Sequence, residues 1–369
     1  MKRYCLILAC CIAALATLSC KKKAAAGDPP IALVSSIISD PSLPAHKLVA
    51  DYNANDASKS IFVAGSPVLC ESLRQKLMTV DEFDNIDGKR MQDGLPDFAG
   101  EVICTMVDFA NSPYGPFVED ARLDDLREVS VRNVLAAMDT LCYINEFDRR
   151  GVASKPLPKL LVLASPYADA FGKYDIDTLF SSLGCSLPVM YPFEVMLDKV
   201  FKSKKGPVMV GVLSGKESLS PAGYEALVAR KAAEEGRNGC GCIVFPSDSG
   251  VQDPLLAFLD SCLVAGRVRP LDAIIVDDPA ADASNMRWTL RRITDSGNQE
   301  SLSYGNLVSA GCMLQEITGT VSEECYRILR GNNLFTHNIA YPKSLEFKTV
   351  LQSDSTFVLT PYDNGDPLR

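Results

Sequence analysis

Carboxylates set among turn residues are the first chemistry this sequence offers. Asp93, Asp97 and Glu101 alternate with Gly, Pro and Ala just ahead of an apolar run, a spacing that suits a divalent cation or a general acid/base pair. Asp277 and Asp278 stand side by side where another apolar run ends and form a second candidate pair. A broader set follows from the rule that open parallel sheets bind ligands beyond the carboxyl ends of their strands. It selects the polar residues directly after apolar runs: Ser66, then Ser165 and Tyr167, then Ser247 and Asp248, then Asp277 and Asp278. Hydroxyls and carboxylates there suit a small polar ligand, a sugar, nucleoside or amino acid, with Tyr167 as a stacking face. Helix N-caps use the same residue types, so capping competes with ligand binding at each position.

Other chemistries are excluded by what the chain lacks. No glycine loop cradles a phosphate, no nucleophile elbow appears, and His46 and His337 are the only two histidines. Cys240-Gly241-Cys242 is the only close cysteine pair, and two further ligands for a zinc ion are missing from its neighbourhood. The sequence calls for neither metal nor cofactor. The formal charge of −9 falls to −11 once Lys2 and Arg3 are removed with the leader described next, a surface that disfavours nucleic acid.

Lys2 and Arg3 precede a charge-free apolar stretch over residues 4–16, long enough for an export signal and too short to cross a bilayer. Leu18, Ser19 and Cys20 follow. This arrangement resembles a relaxed lipobox of the kind found in Bacteroidetes lipoproteins, although Thr17 stands where the leucine usually is. The resemblance implies cleavage after Ser19, acyl chains of the palmitate type on Cys20, and anchoring in the cell envelope. Without Asp after Cys20, the outer membrane is the expected sheet. Two or more chains at roughly 0.8 kcal/mol per buried methylene hold such an anchor stably. Lys21, Lys22 and Lys23 can then lie against anionic headgroups, and the Pro-ended stretch to residue 30 reads as a tether. Of the 13 cysteines, nine follow Cys20; the odd number and irregular spacing are unlike a disulfide framework.

The elements that must position these residues emerge from an alternation of short apolar runs and amphipathic segments. Strands are predicted over 31–34, 61–64, 102–107 and 160–164, and helices over 67–78 and 124–143. The second half repeats the scheme: strands at 208–213, 242–245 and 271–276 lead into helices at 221–235, 254–265 and 285–294. Runs that are apolar along their whole length need cover on both faces, which calls for parallel sheets between helices. Residues 304–330 read as helical throughout, and late strands at 345–351 and 356–359 form a hairpin or return to the first lobe. The expected organisation is α/β: a signal peptide (1–19), a lipidated tether (20–30), two doubly wound, largely parallel-sheet lobes (31–205 and 206–330) with a cleft between them, and a tail (331–369).

Two such lobes behind a lipoprotein signal, with the 208–278 series and the run Leu271-Asp272-Ala273-Ile274-Ile275-Val276-Asp277-Asp278-Pro279, resemble the type 1 periplasmic-binding-protein architecture in outline. The two-domain aspartate/glutamate racemase group shares the alternation. A racemase needs paired cysteines after strands in each lobe, whereas Cys104 lies within its strand and Cys242 at the start of one. The resemblance therefore implies a membrane-tethered protein that closes on a small polar molecule rather than an enzyme. The competing expectations are an envelope enzyme, hydrolase or isomerase, that uses carboxylates, and a structural or interaction lipoprotein.

Overall fold

The computed structural model describes residues 29–145, 147, 152–247, 253–266, 269–295, 297, 299–336, 338–352 and 357–362. Cys20, Asp248 and His337 lie outside them. The apolar runs form two sheets, each fed by helices that cross between parallel strands. In the first lobe β1 (Ser60–Gly65), β2 (Val102–Val107) and β5 (Pro158–Ala164) are the core. Helix α3 (Pro67–Thr79) joins β1 to β2, and α5 (Leu123–Met138) follows β2. A small hairpin, β3 (Leu141–Tyr143) and β4 (Val152–Ser154), leads to β5. Next come a π turn at Ala168–Gly172, α6 (Lys173–Leu183), the short β6 (Val189–Met190) and α7 (Pro192–Ser203).

The second lobe runs β7 (Met209–Ser214), α8 (Pro221–Glu234), β8 (Gly241–Pro246), α9 (Pro254–Val264), β9 (Leu271–Asp277), α10 (Ala283–Thr294), β10 (Val308–Glu316) and α12 (Ile317–Gly331), with a short α11 (Gln299–Tyr304) before β10. The chain then returns: β11 (Lys343–Leu351) pairs in parallel with β2, and β12 (Phe357–Pro361) pairs antiparallel with β11. The strand orders are β12-β11-β2-β1-β5-β6 and β10-β9-β7-β8. All pairs in both sheets are parallel except β11–β12. The tail hairpin thus completes the first sheet, so both fates foreseen for it occur together.

The layers follow from which face each strand turns to which helix. Ile61, Val63, Leu160 and Val162 pack with Leu73 and Leu77 of α3 and with Phe193, Met196 and Val200 of α7; Val210, Val212, Ala273 and Ile275 of the second sheet join the same cluster. Helices α3, α7, α8 and α12 therefore form one layer between the sheets. The opposite faces are covered by α5 and α6 in the first lobe and by α9 and α10 in the second. Burial on both faces explains why residues 61–64 of β1 and 160–164 of β5 are apolar throughout.

Three segments differ from the sequence reading. Residues 31–34 open a helix, α1 (Ala32–Ser39), with Val34 and Ile37 on its buried face. Four apolar residues show no period, and here the Ile31 amide bound to Asp175 (3.0 Å) fixes the entry into a turn. The helix expected to run to residue 143 ends at Met138, where Asp139 is extended and β3 begins. Within 304–330, residues 308–316 are strand β10, because β9 needs a partner on its open edge; Glu316 then caps α12 by accepting from the amides of Thr318 (3.0 Å) and Gly319 (2.7 Å).

Candidate functional site

Strand ends from both lobes meet on one seam. At Gly65, φ is +149°, and a Cβ would lie 2.5 Å from the Ala164 carbonyl oxygen, so only glycine lets β1 and β5 end side by side. Ser66 follows, buried, with its amide on that carbonyl at 3.0 Å. After β5, the Ser165 hydroxyl oxygen accepts from the Tyr167 amide at 3.2 Å. The Tyr167 ring tilts against Tyr114 with centroids 6.0 Å apart, and its hydroxyl donates across the seam to the Ser218 carbonyl in the β7–α8 loop at 2.9 Å. Ser66, Ser165 and Tyr167 are therefore together, as the strand-end rule expects.

Directly after β2, Asp108 is completely buried and accepts four side-chain hydrogen bonds. Asn111 (2.9 Å) and Thr349 of β11 (2.6 Å) donate to one oxygen; Tyr114 (2.8 Å) and Asn133 of α5 (2.8 Å) donate to the other. With all four lone-pair directions filled, this carboxylate ties β2, β11, α5 and the Tyr114 loop together and has no capacity left for a substrate. It was not among the residues selected from sequence, although it directly follows a strand.

Two other buried carboxyls face the seam from opposite lobes. Asp169 sits in the π turn after β5, fully buried; one oxygen accepts the Phe193 amide at 2.7 Å, and the other, Oδ1, has no hydrogen-bond partner among the described residues. The π turn packs so close to α5 that a Cβ on Gly172 would fall 2.5 Å from Ser130, and such single turns often mark functional positions. Burial, reinforced by the charges of Glu194 and Asp277, holds the Asp169 carboxyl protonated far above the usual carboxylate range. Asp277, the last residue of β9, accepts a hydrogen bond from the Tyr224 hydroxyl of α8. Burial raises its pKa to about 7, the Tyr224 hydrogen bond opposing and the Asp278 charge adding to the rise. Tyr224 in turn receives hydrogen bonds from the Ser218 side chain and the Leu219 amide.

The other sequence candidates have separate tasks. Asp278 accepts from the Ala280 amide (3.0 Å) and from the Ser247 hydroxyl, which also lies 3.0 Å from the Ser214 carbonyl, so these two residues bind β7 and β8 ends to the β9 loop. The trio Asp93, Asp97 and Glu101 lies at the amino end of β2, away from the seam, and does not converge. Asp93 closes an exposed turn through the amides of Asn85 and Leu95 (2.9 Å each). Asp97 accepts from the amides of Glu82 (3.0 Å) and Phe83 (2.9 Å); burial lifts its pKa to about 6 against those two bonds. Glu101 is paired 2.6 Å from Lys159, with neither side chain exposed. Among the described residues no group of three or more His, Cys, Asp or Glu side chains is gathered to hold a metal ion.

No family model matches this chain, and no curated protein sequence does. Solved structures do resemble it in fold. A glutamate racemase isoform from Bacillus anthracis is 18% identical, with 80% of this chain and 90% of that one covered at a TM-score of 0.46. Glutamate racemase from Francisella tularensis subsp. tularensis SCHU S4, solved with D-glutamate, is 13% identical over 81% and 91% of the two chains at 0.47. The enzyme from Aquifex pyrophilus is 13% identical over 80% and 91% at 0.39. The expectation of a binding protein rather than an enzyme is not met by these three structures, which are of enzymes. The cavity among Tyr114, Asn133, Ser165 and Tyr167 lies within the first lobe and is about 10 Å³, room for one water. Cys104 and Cys242 both lie inside strands, and the loops after β2 and β9 begin with aspartates instead.

Proposed function

We propose that this chain is an enzyme of acid–base chemistry, an isomerase that takes a proton from a carbon acid on one face and returns one on the other. The carrying observation is that Asp169 and Asp277, both buried and from opposite lobes, lie within one another's field, and that nothing among the described residues satisfies the Asp169 Oδ1 atom. The two environments also separate their roles. Asp277, half ionised near neutral pH, is poised to take the proton, while Asp169 stays protonated and able to give one. One turnover leaves Asp277 protonated and Asp169 ionised, so the reverse reaction runs with the roles exchanged and the next forward turnover follows proton exchange with solvent. A hydrolase is less well supported, because neither the Ser66 nor the Ser165 hydroxyl meets a carboxylate or imidazole base among the described residues. We propose further that the enzyme works in the cell envelope, hung from acylated Cys20.

Deuterium wash-in tests the chemistry. The chain is incubated in D2O with a panel of chiral amino and hydroxy acids, glutamate among them, and label at the carbon beside the carboxylate is read by mass spectrometry. Label is expected on a panel member, rising as pH passes through about 7, and Asp169→Asn and Asp277→Asn should each slow it by about 10²- to 10⁴-fold. No label across the panel, or label indifferent to both substitutions, defeats the proposal.

A further inference from the structure

The β7–α8 loop, residues 215–219, lies across the seam and carries a group that the closed state does not satisfy. Glu217 places its Oε2 atom out of solvent with no hydrogen-bond partner among the described residues. Its charge is felt by Cys70, Tyr114 and Tyr167, all of the first lobe, where the charges of Asp108 and Glu119 also act. A carboxylate oxygen buried without a donor, among other carboxylates, favours states in which water reaches it. Opposing this, the Tyr167 hydroxyl donates to the Ser218 carbonyl and is the hydrogen bond that fastens the loop to the first lobe. The loop has natural pivots: Gly215, held by its amide on the Asp277 carbonyl (3.1 Å), and Ser220, which caps α8 through the Gly223 amide (3.3 Å).

We infer that residues 215–219 form a gate over the seam, latched by Tyr167 and pushed open by the unpaired Glu217 carboxylate. This rests on reading the seam as the working site. The gate also touches the chemistry. Ser218 binds Tyr167 through its carbonyl and Tyr224 through its side chain, and Tyr224 donates to Asp277, so opening removes one of the donors that orient the tyrosine on the base.

Amide hydrogen exchange of the full chain, read by mass spectrometry on peptides spanning 215–219 and, as internal reference, 209–214 of β7, tests the gate without any substrate. Tyr167→Phe removes one neutral hydrogen bond and should speed exchange in 215–219 by about fivefold. Glu217→Gln removes the charge at constant shape and should slow it by about threefold or more. Exchange in 209–214 should stay unchanged in both. The inference is overturned if Glu217→Gln leaves exchange equal or faster, if Tyr167→Phe leaves it unaltered, or if 209–214 speeds up in step, which would mean that the whole lobe opens. Because exchange needs no turnover, a failed gate leaves the acid–base proposal standing, and a failed wash-in assay leaves the gate.

Discussion

Asp277→Asn turns the burial of one carboxyl into a measurable pH dependence. The amide matches the protonated acid in shape and keeps an oxygen for the Tyr224 hydroxyl, so the substitution removes the titration and little else. In the unfolded chain Asp277 has its ordinary value of 3.8, and in the fold about 7. Between those values the folded state holds a proton that the unfolded state has released, so unfolding releases it and stability falls as pH rises. One pKa unit corresponds to 1.36 kcal/mol; integrating between pH 5 and pH 7, where the upper end is already half titrated, gives about 2 kcal/mol. The wild type should therefore lose about 2 kcal/mol relative to Asp277→Asn over that window. Urea denaturation at pH 5, 6 and 7 measures this, and taking the difference between the two proteins cancels every other titrating group except those coupled to Asp277. Asp278 is coupled to it through the charge that adds to the rise, so the same series in an Asp278→Asn background should show a smaller drop. A flat difference, or a variant that loses stability faster than wild type as pH rises, would refute both the buried titration and the choice of Asp277 as a base.

Lys159→Met strands Glu101 in the interior without its cation and removes donors to the carbonyls of Ala57 and Leu334 (2.7 Å each), so it should cost about 3–5 kcal/mol, seen as a lower urea midpoint; adding Glu101→Leu should recover a substantial part. Cys20→Ala should abolish incorporation of a fatty-acid analogue during metabolic labelling, and continued labelling of that form would disprove the anchor at Cys20.

The architecture was legible in the sequence because it rests on period and length. The runs that became β1, β2, β5, β7, β8 and β9 are apolar at nearly every position, Thr105 and Asp272 being the exceptions, and a sheet covered on both faces accommodates that. What escaped depends on contacts between distant residues. Four apolar residues at 31–34 cannot announce a helix whose entry is fixed by Asp175, 144 residues away. The strand at 308–316 carries Gly311 and three polar residues, and it is a strand because β9 requires a neighbour. The candidate site divides in the same manner. Ser66, Ser165, Tyr167 and Asp277 were reachable by the strand-end rule, and Asp108 would have been had the rule been applied after residue 107. Tyr224 was not, since a tyrosine in a helix interior reads as core until the partner at Asp277, 53 residues later, is known.

The position of Asp169 argues that the seam is more than a place where two lobes touch. A carboxyl used only to cap α7 would need one oxygen on the Phe193 amide and could leave the other facing water, or an asparagine could serve without the cost of burying an acid. Here the π turn instead holds Asp169 wholly inside, against Glu194 and toward Asp277, with Oδ1 unsatisfied. The Arg230 guanidinium, a cation that acts on it, bonds its backbone carbonyl at 3.0 Å. Packing alone gives no reason to place two acids in one another's field from separate lobes, since each raises the cost of ionising the other. A reaction that needs one protonated and one ionisable carboxyl on opposite faces of a small molecule does give one.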